Sequence, residues 1–88
     1  MKLRGEFVMC QIADDTIVLP TGDTLLKFNG MIMLNSVSKL IWHCLEEDTT
    51  VEEILQEVLE EFEVTAQEAK EDIQDFLEKL RELHLLDE

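Results

Sequence analysis

The change in hydrophobic spacing near residue 35 constrains the fold of this chain more than any other feature. Asn29-Gly30 is a tight-turn signal because both residues tolerate positive φ angles. The apolar run at residues 31–34 behind it predicts a short strand. Asn35 or Ser36 can cap a helix by accepting a bond from a free backbone N–H. From Ser36 onward apolar residues recur every three or four positions, as in an amphipathic helix. The chain therefore divides into a β-rich first part and a helical second part.

The residues before this boundary predict a small antiparallel sheet. Phe7–Ile12 and residues 16–19 are rich in β-prone side chains and flank Asp14-Asp15, so they predict a hairpin. Residues 20–23 end its second strand, because proline lacks the N–H that a strand ladder needs. Residues 25–28 predict a further extended piece. With the strand before the boundary, these segments give three or so short strands.

Three amphipathic helices are predicted after the boundary. Thr50 with Glu53, and Thr65 with Glu68, have the spacing of a capping box and predict the starts of the second and third helices. The leucines at positions 83, 85 and 86 predict a tail that folds back on the core. The order of elements predicts an α+β fold, in which a three-stranded antiparallel sheet precedes a three-helix bundle in a winged-helix-like arrangement. The stripe of the first helix consists of Val37, Leu40, Ile41, Cys44 and Leu45.

The net charge excludes two classes of partner. The chain has 88 residues, the size of one domain spanning 1–88, and a net charge of −14. Binding to nucleic acid needs a basic face, and anionic membranes attract basic segments, so neither partner is expected. No signal peptide and no apolar run of membrane-spanning length is present, which predicts a cytoplasmic protein. Cys10 and Cys44 then indicate reduced thiols, with a disulfide between them as the alternative.

The ionisable side chains form no catalytic or metal-binding motif. His43 and His84 have no second histidine or paired cysteine at metal spacing. Adjacent helical residues point about 100° apart, so His43 and Cys44 cannot act as base and nucleophile. Three scattered glycines give no phosphate loop. We therefore expect no enzymatic activity, no metal and no cofactor.

Binding is the function that remains, and the strand at residues 31–34 is its best candidate. If extended, Ile32 and Leu34 share one face and Met31 and Met33 the other. Either both faces are covered by the protein, or the strand edge is free and accepts a peptide as an additional strand. Trp42 lies off the main stripe of its helix, and it either packs against another element or anchors a partner.

The chain resembles the PqqD-like family, small proteins similar to the pyrroloquinoline quinone biosynthesis protein D. The resemblance covers nearly the whole length. Its marks are Phe28-Asn29-Gly30-Met31-Ile32 before Leu34-Asn35, then Ile41-Trp42 and Leu45, then Thr50-Val51-Glu52-Glu53-Ile54, then Glu71-Asp72-Ile73 with Phe76-Leu77 and Leu80, and finally Leu85-Leu86.

The resemblance implies a peptide-recognition element rather than an enzyme. Members of the family bind the leader segment of a ribosomally made precursor peptide as an extra strand and present it to a modifying enzyme, commonly a radical S-adenosylmethionine maturase. Self-association through the same edge, as a homodimer or structural subunit, is the alternative. The strand edge carried over to this chain is Met31, Ile32, Met33 and Leu34, and the flank of the third helix is Asp72, Asp75, Phe76 and Lys79.

Three positions depart from the family pattern. The family usually has glycine where His84 stands, and histidine costs about 1 kcal/mol more than glycine in a left-handed helix stop. We therefore expect the chain to end differently. An arginine is common where Cys10 stands, and a hairpin glycine where Asp14 stands. Any contact made by that arginine is not expected here.

Overall fold

The computed structural model describes residues 1–88 and confirms the α+β class. Each α-helix is either too short or too polar to span a lipid bilayer. The elements follow one another as β1 (Lys2–Leu3), β2 (Phe7–Ile12), β3 (Asp15–Pro20), α1 (Thr24–Lys27), β4 (Ile32–Leu34), α2 (Ser36–Leu45), α3 (Val51–Glu61), α4 (Ala66–Glu82) and β5 (Leu86–Asp87).

The predicted three-stranded antiparallel sheet is present, in the order β2-β3-β4. Asp15 pairs with Ile12, so the turn lies at Ala13-Asp14 and not at Asp14-Asp15 as predicted. Ala13 has a φ of +55°. A left-handed residue in a two-residue hairpin matches the twist of the flanking strands. The turn therefore takes its geometry from strand pairing, although alanine is a poor residue for that conformation.

A second, two-stranded sheet joins the two ends of the chain and was not predicted. β1 pairs antiparallel with β5, with Leu3 opposite Leu86. The Arg4 N–H also donates to the Leu85 carbonyl at 2.7 Å. Strands of two residues are too short to show a period of two, so sequence patterning cannot reveal them. The predicted fold-back of the C-terminal tail is confirmed, since Leu85 and Leu86 belong to the buried core.

The predicted extended piece at residues 25–28 is wrong, because residues 24–27 form the short helix α1. Local bonds hold this turn: the Leu25 N–H donates to the Gly22 carbonyl and the Phe28 N–H to the Thr24 carbonyl. The Thr24 hydroxyl also accepts from the Glu6 N–H at 2.7 Å. These backbone groups are satisfied locally, so the segment has no need of a strand partner.

The three long helices begin where their caps were predicted. Asn35, and not Ser36, caps α2, and it exchanges bonds with Ser38 in both directions. Thr50 and Thr65 accept from the N–H groups of Glu53 and Glu68, at 3.2 and 3.1 Å. The Glu53 and Glu68 carboxylates bond threonine hydroxyls instead of the cap N–H groups, so each capping box is half formed.

One hydrophobic core joins the inner face of the sheet to α2, α3 and α4. Val18 and Ile32 contribute from the sheet, and Ile54, Ile73 and Leu80 are fully buried or nearly so. Trp42 is buried, and its ring meets Phe7 edge to face at 5.1 Å and 87°. Such a pair contributes about 1 kcal/mol beyond its buried area. Of the two interpretations of Trp42, packing against another element is therefore the observed one.

The chain ends α4 in the left-handed conformation, contrary to our expectation from His84. The φ of His84 is +60°. The Leu85 N–H donates to the Leu80 carbonyl at 2.9 Å, and the His84 N–H to the Arg81 carbonyl at 3.0 Å. This pair of bonds defines a Schellman stop. Burial of Leu80 and Leu85 on either side holds the backbone there despite the unfavourable residue.

We predict that His84→Gly raises the free energy of unfolding by about 1 kcal/mol, because glycine removes the Cβ clash of the left-handed conformation. Urea unfolding followed by Trp42 fluorescence measures the change. His43→Gly is the matched control, since it makes the same substitution inside α2 and should lower stability by about 1 kcal/mol. If both substitutions destabilise the protein, the strain assigned to His84 is absent.

Candidate functional site

Strand β4 has a hydrogen-bonded neighbour on one side only. It pairs with β3, and no strand lies on its other side. The Thr21 N–H donates to the Glu6 carbonyl at 2.9 Å, which identifies that opposed pair as hydrogen-bonded. Hydrogen-bonded and non-bonded pairs alternate in antiparallel strands. Ile17 is an even number of residues from Thr21, so its backbone N–H and C=O groups also point towards β2. Thr16 and Val18 therefore direct their backbone groups towards β4.

The same alternation decides which groups of the edge are free. Ile32 and Leu34 lie opposite Val18 and Thr16, so their N–H and C=O groups are used in the ladder with β3. Met33 directs its backbone groups to the open side, and the alternation assigns Met31 the same direction. Asn35 is not available, because its N–H donates to the Ser38 hydroxyl at 2.8 Å and its carbonyl accepts from Lys39 at 2.9 Å. The open edge therefore consists of Met31 and Met33.

A groove runs beside this edge, between β4 and the two helices α2 and α4. Its cavity measures about 250 Å³. The lining combines apolar side chains with three charged groups, Asp72, Asp75 and Lys79, which are all exposed. An apolar lining with charged groups at its margin can hold an extended segment that carries both apolar and charged side chains. We call this cavity the edge groove. Its lining residues are Met33, Asn35, Val37, Ser38, Ile41, Asp72, Asp75, Phe76 and Lys79.

The structure brings five of the eight predicted site residues to the edge groove: Met33, Asp72, Asp75, Phe76 and Lys79. Met31 does not line it, but Met31 and Met33 are 60% and 58% exposed beside the open edge. Ile32 and Leu34 have buried side chains in the core and backbone groups directed to β3. These two residues support the edge from behind, and Leu34 also lines a second cavity beside the edge.

The contribution of α2 to the groove was missed. Asn35, Val37, Ser38 and Ile41 all line it. The sequence did carry a signal, because Val37 and Ile41 are four residues apart and share a helical face. Val37 is only half-buried, so part of the stripe faces the groove.

A second cavity of about 580 Å³ continues from the edge groove towards the hairpin turn. The two cavities share Met33 and Asn35. Asp14, Asp15 and Lys39 line the second one. Across both cavities four carboxylates oppose two lysine ammonium groups, so the path along the edge is acidic. Such a surface favours a ligand with basic side chains.

The other reactive side chains lie away from this site. Both cysteines are free thiols. Burial raises the pKa of the Cys44 thiol, and Glu57 and Glu53 raise that pKa further. The Cys44 thiol is therefore protonated at neutral pH and a weak nucleophile. No group of three or more His, Cys, Asp or Glu side chains is arranged to hold a metal ion.

Comparison with known proteins gives matches at the level of family and fold. The family model for PqqD, described as coenzyme PQQ synthesis protein D, matches residues 15–86. No curated protein sequence matches the chain significantly. Two solved structures are similar over almost their full length.

The structure of TbiB1 in complex with the TbiA(beta) leader peptide is 30% identical, with a TM-score of 0.75, and the match covers 99% of this chain and 95% of that one. A lasso peptide synthetase B1 complexed with the leader peptide is 23% identical, with a TM-score of 0.70 over 96% of this chain and 93% of that one. The second likeness establishes the fold alone.

We predict that hydrogen exchange distinguishes the two sides of β4. The amides of Ile32 and Leu34 should exchange more than about tenfold slower than those of Met31 and Met33, because only the first two donate within the ladder. Residue-resolved amide exchange by NMR measures this, with the buried Val18 amide as an internal reference. Equal protection of Met33 would mean that the open edge is already occupied.

Proposed function

The chain belongs to the PqqD family, and from this premise we propose that it binds the leader segment of a ribosomally made precursor peptide by strand addition and presents it to a modifying enzyme. One observation carries the proposal: the free backbone groups of Met31 and Met33 lie beside the edge groove, which has both apolar and charged lining residues. TbiB1, the relative that is 30% identical, forms a leader-peptide complex, which supports the same role here.

The peptide would add to β4 as a fourth strand, bonded to Met31 and Met33. Two outward residues offer at most four backbone hydrogen bonds, each worth about 1 kcal/mol net. Four such bonds amount to about 4 kcal/mol, which corresponds only to millimolar affinity even before losses of chain entropy. Useful binding therefore requires burial of at least one large apolar side chain, which adds about 1.5–3 kcal/mol. Val37 and Phe76 line the groove where that side chain would lie.

The acidic margin of the groove selects for charge. Asp72 and Asp75 lie on the same flank of α4 as Lys79, one turn further along. We infer that the leader carries at least one basic residue that faces the two aspartates. Attraction between this residue and a chain of net charge −14 also accelerates encounter. Once bound, the peptide is presented to the enzyme at a raised effective concentration.

A radical S-adenosylmethionine maturase is the modifying enzyme that we propose, from the resemblance to PqqD-like proteins. We place the encounter in the cytoplasm, where precursor peptides are made, and we propose recognition rather than catalysis as this chain's part. A homodimer through the open edge is the competing use of the same backbone groups.

We predict that Met33→Pro weakens leader binding about tenfold, because proline removes one N–H donor from the open edge and one such bond is worth roughly 1–1.5 kcal/mol. The ladder with β3 should survive, since it uses Ile32 and Leu34. Proline also favours an extended residue before it, which Ile32 already is. Fluorescence anisotropy with a labelled leader peptide, taken from the precursor encoded beside this chain, measures the affinity.

Met33→Ala is the matched control, because it removes the side chain and keeps the N–H. It should bind the leader within about threefold of the wild type if backbone pairing dominates at this residue. Equal losses for the proline and alanine variants would argue against strand addition. A wild-type chain that sediments as a dimer and ignores the leader would favour the homodimer.

We predict that Asp75→Lys weakens binding of a basic leader by about threefold to tenfold, because it replaces attraction by repulsion at the groove margin. Glu78→Lys makes the same charge change on α4 outside the groove lining, and it should have less than half of that effect in free energy. Raising the salt concentration should reduce the difference between the two variants. Isothermal titration calorimetry at low and high salt tests both statements. Affinity that does not change with salt would remove the electrostatic part.

A further inference from the structure

The sheet has a second apolar face, on the side away from the helices. Cross-strand partners share a face, so the triplet Cys10, Ile17 and Met33 lies opposite the core-facing triplet Met9, Val18 and Ile32. Alternation along β2 and β3 adds further apolar residues to the same side. We call this surface the outer face. Its apolar residues are Val8, Cys10, Ile12, Ile17, Leu19 and Met33.

No element of the chain covers the outer face. None of its six residues belongs to the 15-residue core cluster between the sheet and the helices or packs against that cluster. Val8 and Ile12 are 46% and 59% exposed. Ile17, at the centre, is only 7% exposed and lies between its cross-strand partners Cys10 and Met33. A contiguous apolar surface of this kind in a chain with 32% charged residues marks an interaction site.

The charges at the ends of the outer face indicate the chemistry of its partner. Asp15 shares the face at the hairpin end, opposite Ile12. Glu6 continues the same side at the other end of β2, where its carbonyl accepts from Thr21. Six strand residues separate the two acids, a distance of about 20 Å. The complementary surface is apolar at its centre and basic at its rim.

A second copy of this chain does not fit that description. Three strands of this length present about 300 Å², whereas a stable dimer buries about 800 Å² on each partner. Each copy would also bring a net charge of −14 and the same two end carboxylates. An area of this size suits only a transient contact, whatever the partner, so like charge is the argument against self-association through this face.

We propose that the outer face docks an apolar, basic-rimmed surface of the enzyme that modifies the peptide held at the adjacent open edge. The inference rests on the function proposed above, because that function places peptide and enzyme together. Met33 belongs to both surfaces, since it lines the edge groove and lies on the outer face.

A peptide strand added to β4 extends this docking surface. Alternate side chains of the added strand fall on the outer face, which enlarges it by about one third, to roughly 400 Å². The enzyme then contacts this chain and its bound peptide together. Each binding event therefore strengthens the other, as linkage requires.

The test uses Ile12→Lys and Val8→Lys, which place a charge at either half of the outer face on side chains that are already exposed. The probe is the peptide-modifying enzyme encoded beside this chain, purified and titrated onto each variant by biolayer interferometry, with and without the leader peptide. Gln74→Lys, on the exposed side of α4, is the control for the added charge. Leader affinity and urea unfolding are measured on the same samples.

Both outer-face variants should bind the enzyme at least tenfold more weakly than the wild type. Their affinity for the leader should stay within twofold of that of Gln74→Lys, and their free energy of unfolding should be close to that of Gln74→Lys. In the wild type, the leader should increase enzyme affinity. The inference is overturned if the variants bind the enzyme as tightly as the wild type does, or if the wild type does not bind it. It is also overturned if the wild type is a dimer that Ile12→Lys dissociates. A different result is that the variants lose enzyme binding while the wild type binds no leader. That result would refute the function proposed above and would still support the outer face as the docking surface.

Discussion

The pairing of a three-residue strand with one neighbour is the interaction on which the rest of this structure depends. Val18 and Thr16 hold β4 through the backbone of Ile32 and Leu34, and the side chains of the same two residues are buried in the core. This arrangement fixes the strand by its inner face and one edge. It leaves the other edge to Met33, whose backbone groups have no partner in the ladder. Rigid support and an open edge are therefore properties of the same three residues.

The helices determine what can use that edge. The capping box of Asn35 and Ser38 begins α2 immediately after β4, so the strand cannot extend beyond Leu34. Helix α4 crosses nearby and brings two aspartates and a lysine to the margin of the groove. An incoming segment meets backbone donors and acceptors on one side and an apolar, acidic wall on the other. Sequence-tolerant pairing and side-chain selectivity are thus supplied by different elements.

Two residues in left-handed conformations show how far pairing and burial override local preference. Ala13 adopts its φ of +55° because β2 and β3 pair in register around a two-residue turn. His84 adopts +60° because Leu80 and Leu85 are buried on either side of the Schellman stop. Each costs about 1–2 kcal/mol relative to glycine. The family usually has glycine at or near these two positions, yet the backbone adopts the left-handed conformation at both without it. The winged-helix likeness of the whole arrangement stays a prediction.

The sequence by itself determined the features that depend on neighbours a few residues away. The caps at Thr50 and Thr65, the helical stripes, the hairpin and the acidic charge all follow from local spacing and composition. The groove flank of α4 from Asp72 to Lys79 came instead from the family resemblance. Only the tertiary structure decided the rest. β1 pairs with β5 across the whole chain, and residues 24–27 form a helix. Val37 lines the edge groove, and the outer face of the sheet lies outside the core cluster. These outcomes depend on which distant residues meet, and a local pattern of apolar residues shows that a face is to be buried without showing what will bury it.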